Sequence, residues 1–227
     1  MLKAVIFDLD GVIIDSEPIH LMLERELFDQ MGLPVSQAEH LSYMGTTSGA
    51  LWADLRDKYG LEQTAEELSE LTRRRYLDYL SRQESIRPIP GAAELVRELS
   101  GRGVRLAVAS SAQRRAIEIT LLGVELKEYF PVIVSGDEVP RSKPFPDIFL
   151  AAAERLRVPA AESLVIEDSR NGVAAAKAAG MACLGFQSGN SGYQDLSRAD
   201  AVTDSLLKIR YQYLLELYLS AAPRAGA

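Results

Sequence analysis

Four apolar residues, Ala4 to Phe7, give way abruptly to Asp8, Leu9, Asp10 and Gly11. This stretch, AVIFDLDGV from Ala4 to Val12, constrains the fold more than any other. A short unbroken apolar run suits a strand buried on both faces of a parallel sheet. Such a strand emerges at its carboxyl end, where open α/β sheets bind ligands. Asp8 and Asp10 stand two apart, so on an extended chain they project to the same side. Two carboxylates held together repel each other unless a cation lies between them or they share a proton. Gly11 then permits a sharp exit. The same residues also allow a plainer reading, a strand followed by an ordinary acidic Asp-Gly turn.

Beyond Pro88, Pro90 and Gly91 the pattern becomes alternating units. Helices are expected over 92–100, 113–122, 146–157, 172–179 and 205–219, with strands over 104–109, 132–134, 164–166 and 182–186. Alternation of this kind predicts an α/β fold, a doubly wound, Rossmann-like parallel sheet covered on both faces. Residues 16–85 carry helical spacing and almost no strand signal, with helices expected over 19–31, 48–59 and 65–81. Thr64 with Glu67 three residues later forms a capping box for the last of these. This block has no place in the alternation. It reads as a small inserted all-helical domain over 16–87, the core being 1–15 and 88–227. The terminal APRAGA reads as a frayed tail.

A net charge of −7 argues against a general nucleic-acid binder, because phosphate backbones demand Lys and Arg. The lone cysteine, Cys183, excludes an intrachain disulfide and reads as a small core residue in MACLGF. The amino-terminal segment turns acidic too early for a secretory signal, and no apolar run approaches the ~18 residues of a membrane span. A cytoplasmic protein without a membrane partner is expected.

Several expected strands end in residues with chemical capacity: Asp8 and Asp10, Ser110, and Glu167 with Asp168. In a parallel sheet those ends share one edge, and Lys143 in RSKPFPD falls at the same edge. Oxygen-only ligands suit a hard cation, Mg²⁺ rather than zinc. A divalent ion relieves the carboxylate repulsion and attracts a phosphate, whose remaining charge Lys143 and Ser110 can meet. Backbone N–H groups around Asp10 to Val12 and at Ser111 could complete the cradle. Asp8 is then a nucleophile of the kind that forms an aspartyl-phosphate. Asp10 can protonate the leaving oxygen and later take a proton from water.

FDLDGV, VASS, SKPFPD and VIEDS, in that order, resemble the four motifs of the haloacid dehalogenase-like (HAD) hydrolase superfamily. DSEPIH and the helical insertion resemble its subgroup of β-phosphoglucomutase and small sugar-phosphate phosphatases. The resemblance runs from Lys3 to Gly180 and implies a central first strand. It implies Asp8 as nucleophile, Asp10 as acid/base, and Ser110 and Lys143 on the phosphate, with Ser111 beside them. Mg²⁺ is implied at Asp8, Asp168 and the Asp10 backbone carbonyl, with Glu167 supporting or joining the set. Dehalogenases of the superfamily lack the second aspartate, so Asp10 points to phosphate chemistry.

The insertion resembles the family's mobile cap, with hinges near 15–17 and 86–90. His20 is either the histidine that mutase-like members carry at the cap's start or a solvent-facing helix residue. Glu17 is a further candidate for substrate binding. Thr46 and Thr47 stand where mutase members carry an arginine for a second phosphate. Arg73, Arg74 and Arg75 either replace that charge or form a solvated helix face. Arg170 and Asn171 are expected to buttress the acidic loop. The reading is a Mg²⁺-dependent phosphatase of a small phosphorylated metabolite, a sugar phosphate, in a monomer or weak dimer. A hexose phosphomutase is the alternative, and a non-enzymatic phospho-signalling domain a distant one.

Overall fold

The computed structural model of the chain describes residues 1–83, 85–190, 192 and 194–221. The expected tail, 222–227, lies outside them. The chain divides into two compact units, Met1–Asp15 with Glu84–Ala227, and Ser16–Gln83.

The larger unit is built on β1, Ala4–Phe7, whose four residues are all buried. Side chains alternate across a strand. Val5 and Phe7 therefore enter one apolar core and Ala4 and Ile6 the other. β2 (Arg105–Ser110) flanks β1 on one side, followed by β3 (Val132–Ser135) at the edge. β4 (Ser163–Glu167) flanks it on the other side, followed by β5 (Ala182–Phe186) and β6 (Ala201–Thr203). All neighbours are parallel, giving the order β3-β2-β1-β4-β5-β6. The chain winds outward from β1, then returns to β1's other side, so the switch point lies at the first strand's carboxyl end.

The core of Val5 and Phe7 is covered by three helices. They are α5 (Ala92–Gly101), α6 (Arg114–Gly123) and α9 (Tyr211–Ala221), which contribute Leu95, Ile117 and Leu214 among others. The core of Ala4 and Ile6 is covered by α7 (Asp147–Leu156) and α8 (Arg170–Ala178), through Phe149 and Ala176. Cys183 is a buried free thiol in this second core.

The smaller unit comprises α1 (Glu17–Gln30), α2 (Gln37–Ser42), α3 (Ser48–Tyr59) and α4 (Ala65–Ser81). Its core gathers Leu27, Phe28, Trp52, Leu55 and Leu68. The buried Trp52 indole donates to Thr72 Oγ1 at 3.0 Å, and Thr72 in turn donates to the Leu68 carbonyl at 3.0 Å. The capping box at Thr64 and Glu67 is formed. Among the described residues, no helix of either unit is long and apolar enough to cross a membrane.

Four details depart from the expectations of the sequence. The division falls after Gln83 rather than after 87, because Ile86 packs on the larger unit's core and its N–H donates to Gly123 O at 3.2 Å. The six-residue α2 leaves no mark in the sequence pattern, since only His40 in it is buried and no periodicity can register. β6 buries too little of its three residues to stand out as apolar. The expected helix over 205–219 is instead a 3₁₀ turn at Leu206–Lys208 and then α9, with Ile209 between them in extended conformation.

The edge strand β3 has a charged guard. The Ile133 carbonyl accepts from Arg114 Nη1 of α6 and from Arg155 Nη1 of α7, each at 3.1 Å, so guanidiniums reach it from helices on both faces. Glu138 joins the two arginines, at 2.9 Å and 2.5 Å. Charge on an open edge blocks pairing with another chain. Burial opposes ionisation of Glu138, but the hydrogen bonds from Arg114 and Arg155 outweigh it and hold the carboxyl at about 2. A carboxylate depressed in the fold stabilises it above the ordinary carboxylate range and loses that contribution as pH falls toward the folded value. Glu138→Gln is expected to cost about 1 kcal/mol in urea unfolding at pH 7. The gap to the wild type is expected to close between pH 4.5 and 2.

Candidate active site

Backbone pairing carries β1 one residue past its end, Asp8 N–H donating to Ile166 O of β4 at 3.0 Å. The chain then turns tightly. Ile13 N–H donates to Leu9 O at 2.8 Å and Gly11 N–H to Ile14 O at 2.7 Å. Gly11 takes φ of +75°, a conformation that costs other residues steric strain. Asp8 is therefore held at the sheet's carboxyl edge with its carboxylate buried, 6% exposed.

The neighbouring strand β4 ends in Glu167, fully buried, followed by Asp168, also buried. Lys143 supplies the opposing charge from the segment that precedes α7. Its ammonium donates to Asp8 Oδ1 and to Glu167 Oε1, each at 2.7 Å. The other Glu167 oxygen, Oε2, accepts from the Ser169 N–H at 2.6 Å and from its hydroxyl at 3.0 Å. Ser169 Oγ in turn caps α8 by accepting from Gly172 N–H at 3.0 Å. On the other flank of β1, Ser110 ends β2. Its hydroxyl donates to Asp10 Oδ2 at 3.4 Å and accepts from Ala112 N–H at 3.0 Å.

Burial raises the Asp8 carboxyl to about 7; Lys143 opposes that rise, while Glu167 and Asp10 add to it. Burial works against the Lys143 ammonium too, yet Asp8 and Glu167 outweigh it and keep the group above the ordinary lysine range. Carboxyl oxygens of Asp8, Glu167 and Asp168 lie within 4.8 Å of one another, a spacing that could hold a metal ion. The donors are all oxygen, and the acidic groups outnumber the one ammonium among them, so the set fits a hard divalent cation such as Mg²⁺. The Asp10 carboxylate lies outside this cluster and turns to Ser110.

The larger unit thus brings together Asp8, Asp10, Ser110, Lys143, Glu167 and Asp168. Ser111 is exposed in the loop after β2. That loop abuts the one after β3: a Cβ on Gly136 would stand 2.9 Å from Ser111 O. The remaining candidates belong to the helical unit. Glu17 lies in the first turn of α1. His20 stacks on the Tyr76 ring at 4.2 Å, neither simply solvent-facing nor a core residue. Thr46 Oγ1 donates to Tyr43 O at 2.7 Å, and Thr47 caps α3 by accepting from Ala50 N–H at 3.2 Å. Arg73 binds Glu66 and Glu70, Arg74 binds Glu70, and Arg75 binds Gln30.

The sequence suggests Arg170 and Asn171 as the support of the acidic loop. Glu167 is held by Ser169, with Gly172 against it, and the Arg170 backbone N–H donates to Gln194 Oε1 at 3.2 Å. Two signals in the chain point to this arrangement. A serine before a helix is a cap, and a glycine in a helix interior is costly unless something must come close. Here something does: a Cβ on Gly172 would lie 1.7 Å from Glu167 Oε1, the atom that holds Lys143. Gly172→Ala is expected to displace that carboxylate and cost about 1–3 kcal/mol of stability by overpacking, read by denaturant unfolding.

Residues 5–186 match the family described as haloacid dehalogenase-like hydrolase. The Arabidopsis thaliana protein SUPPRESSOR OF QUENCHING 1, chloroplastic, is 39% identical over 80% of this chain, which spans only 17% of that much longer protein. A phosphorylated carbohydrates phosphatase of Thermotoga maritima is 35% identical over 79% of this chain and 82% of its own length. The structure of β-phosphoglucomutase from Clostridium difficile superposes with a TM-score of 0.80 at 25% identity, covering 97% of this chain and 98% of that one. With its acidic and basic residues collected on one sheet edge and this similarity through most of its length, the chain belongs to the haloacid dehalogenase-like hydrolase family.

Proposed function

We propose that this hydrolase is a Mg²⁺-dependent phosphatase of a small phosphorylated metabolite, a sugar phosphate, acting through an aspartyl-phosphate. The observation that carries the reading is the Lys143 ammonium, 2.7 Å from both Asp8 and Glu167. In this reading the ammonium is a phosphate-binding charge and Asp8 beside it the nucleophile. The Thermotoga maritima relative, named for phosphorylated carbohydrates, supports the substrate class.

In this reading Asp8 attacks phosphorus, and the bond to the leaving oxygen breaks. Asp10 gives its proton to that oxygen, then takes one from the water that hydrolyses the acyl phosphate. The Ser110 contact holds the Asp10 carboxyl in place between the two steps. Lys143, the Ser110 and Ser111 region and the backbone N–H groups of the turn after Asp8 hold the phosphate oxygens. Glu167, with one oxygen on Lys143 and the other on Ser169, orients the lysine and the acidic loop. Mg²⁺ bound by Asp8, Asp168 and the Asp10 carbonyl would neutralise phosphate charge as the transition state forms. Glu17 and His20 of the helical unit are the candidate residues for recognising the leaving group in this reading.

The β-phosphoglucomutase likeness keeps a hexose phosphomutase as the second reading. Simple hydrolysis has better support. A transferred bisphosphate needs a cation for its second phosphate, and the hydroxyls of Thr46 and Thr47 are already engaged in turn and cap bonds. The three arginines of α4 are likewise engaged with Glu66, Glu70 and Gln30.

The wild type is expected to release inorganic phosphate from an aryl phosphate with Mg²⁺ and to stop when the metal is chelated. Asp8→Asn is expected to lower that rate by at least about 10³-fold, since hydrolysis without a nucleophile faces one of the slowest uncatalysed barriers. Undiminished release by Asp8→Asn would remove Asp8 from the mechanism. Glucose 6-phosphate formed from β-glucose 1-phosphate and a bisphosphate activator, with no net phosphate released, would instead establish the mutase.

A further inference from the structure

We infer that Arg141 is a positioning residue for Lys143, holding the loop that presents the ammonium to Asp8. The inference rests on the reading above, in which Lys143 grips the phosphate beside the nucleophile. Lys143 reaches its two carboxylates from the segment 141–147. Burial of neighbouring side chains does not hold that segment, because Ser142, Pro144 and Phe145 are all exposed, Phe145 by 47%. A flexible four-carbon stem on an unpacked loop has many conformations to lose before its charge is useful.

Two anchors remove that freedom, one on each side of the lysine. On the inner side the ammonium lies 5.1 Å from the centre of the buried Phe149 ring. On the outer side Arg141 makes a two-point ion pair with Asp147, Nε to Oδ1 at 3.2 Å and Nη2 to Oδ2 at 2.9 Å. The same guanidinium lies over the Phe145 ring at 4.5 Å. Between the anchors, Phe145 N–H donates to Ser142 O at 3.0 Å. Asp147 and Phe149 both belong to the start of α7, so the loop is fastened to one rigid helix inside and out. An arginine suits the outer anchor because its planar fork meets both carboxylate oxygens while its face stacks on a ring. The Arg141 side chain is 56% exposed. An ion pair so exposed adds little to stability, and its effect falls on where the loop sits.

The test compares the wild type with Arg141→Ala, Arg141→Lys, Asp147→Asn and the double variant Arg141→Ala/Asp147→Asn on two readouts. One is Mg²⁺-dependent hydrolysis of an aryl phosphate. The other, independent of turnover, is the rate at which an amine-reactive ester acylates Lys143, followed by mass spectrometry. In the wild type this side chain is 6% exposed, so acylation is expected to be slow. Arg141→Ala is expected to lower kcat about tenfold, as a displaced catalytic group does. It is expected to speed acylation of Lys143 about fivefold through local opening of the loop. Arg141→Lys is expected to recover only part of both effects. The double variant is expected to be no worse than either single one, with Tm within about 2 °C of the wild type throughout. An unchanged acylation rate in Arg141→Ala, or an unchanged kcat in an active enzyme, overturns the inference. A wild type with no phosphatase activity removes the functional reading alone, and the acylation rates then decide whether Arg141 holds Lys143.

Discussion

The site depends on one buried ammonium held between two buried carboxylates. Lys143 meets Asp8 and Glu167 at 2.7 Å each. In a low-dielectric interior such a triad is not a source of stability, because desolvating three charges costs about as much as their attraction returns. Its value is plain from the loss of any one member. Without the lysine, two carboxylates would face each other out of water. Without either acid, the ammonium would lose half of its partners. The triad therefore keeps three side chains from three distant parts of the chain in one arrangement, and it leaves the neighbourhood short of positive charge. Burial raises the Asp8 carboxyl, with Glu167 and Asp10 adding to the rise, and the excess of acid over base makes the cluster with Asp168 a suitable seat for a divalent cation.

Everything around the triad serves its geometry. β1 delivers Asp8 because its four preceding residues are divided between two cores and cannot slip register without exposing one of them. β4 delivers Glu167 beside it because the two strands pair in register from Ala4 with Ser163 to Phe7 with Ile166. Gly172 leaves room for the Glu167 carboxylate, and Ser169 ties down its second oxygen while capping α8. At the far edge the sheet is closed by charge instead of by another strand, with Arg114 and Arg155 on the Ile133 carbonyl.

The smaller helical unit shows how local structure limits chemistry. A Thr-Thr-Ser segment looks like a set of hydroxyls offered to a ligand. In the folded chain the two threonines complete backbone hydrogen bonding, Thr46 at a turn and Thr47 at the cap of α3. A helix amino terminus leaves N–H groups without partners, and a nearby hydroxyl meets that need first. The arginine run of α4 follows the same logic, since helical spacing sets Arg73 and Arg74 against Glu70.

The sheet, its parallel sense, the inserted helical block and the convergence of Asp8, Ser110, Lys143, Glu167 and Asp168 on one edge were legible in the sequence. Each rests on a period or a strand end that local pattern encodes. β6 and α2 were not legible, because three residues and six residues, mostly unburied, leave no period to read. Ser169 and Gly172 carry the marks of a cap and of a close approach, but that both serve Glu167 was not legible, nor was the pairing of Arg141 with Asp147. A cap, a close approach and an ion pair are facts of distance, and distance between side chains is set only when the strands pair and the helices pack. By itself the sequence determined which groups can do chemistry and at which edge of the sheet they gather. The tertiary structure alone decided which oxygen of Glu167 holds the lysine and which helix steadies its loop, because those contacts exist only after packing has removed the alternatives.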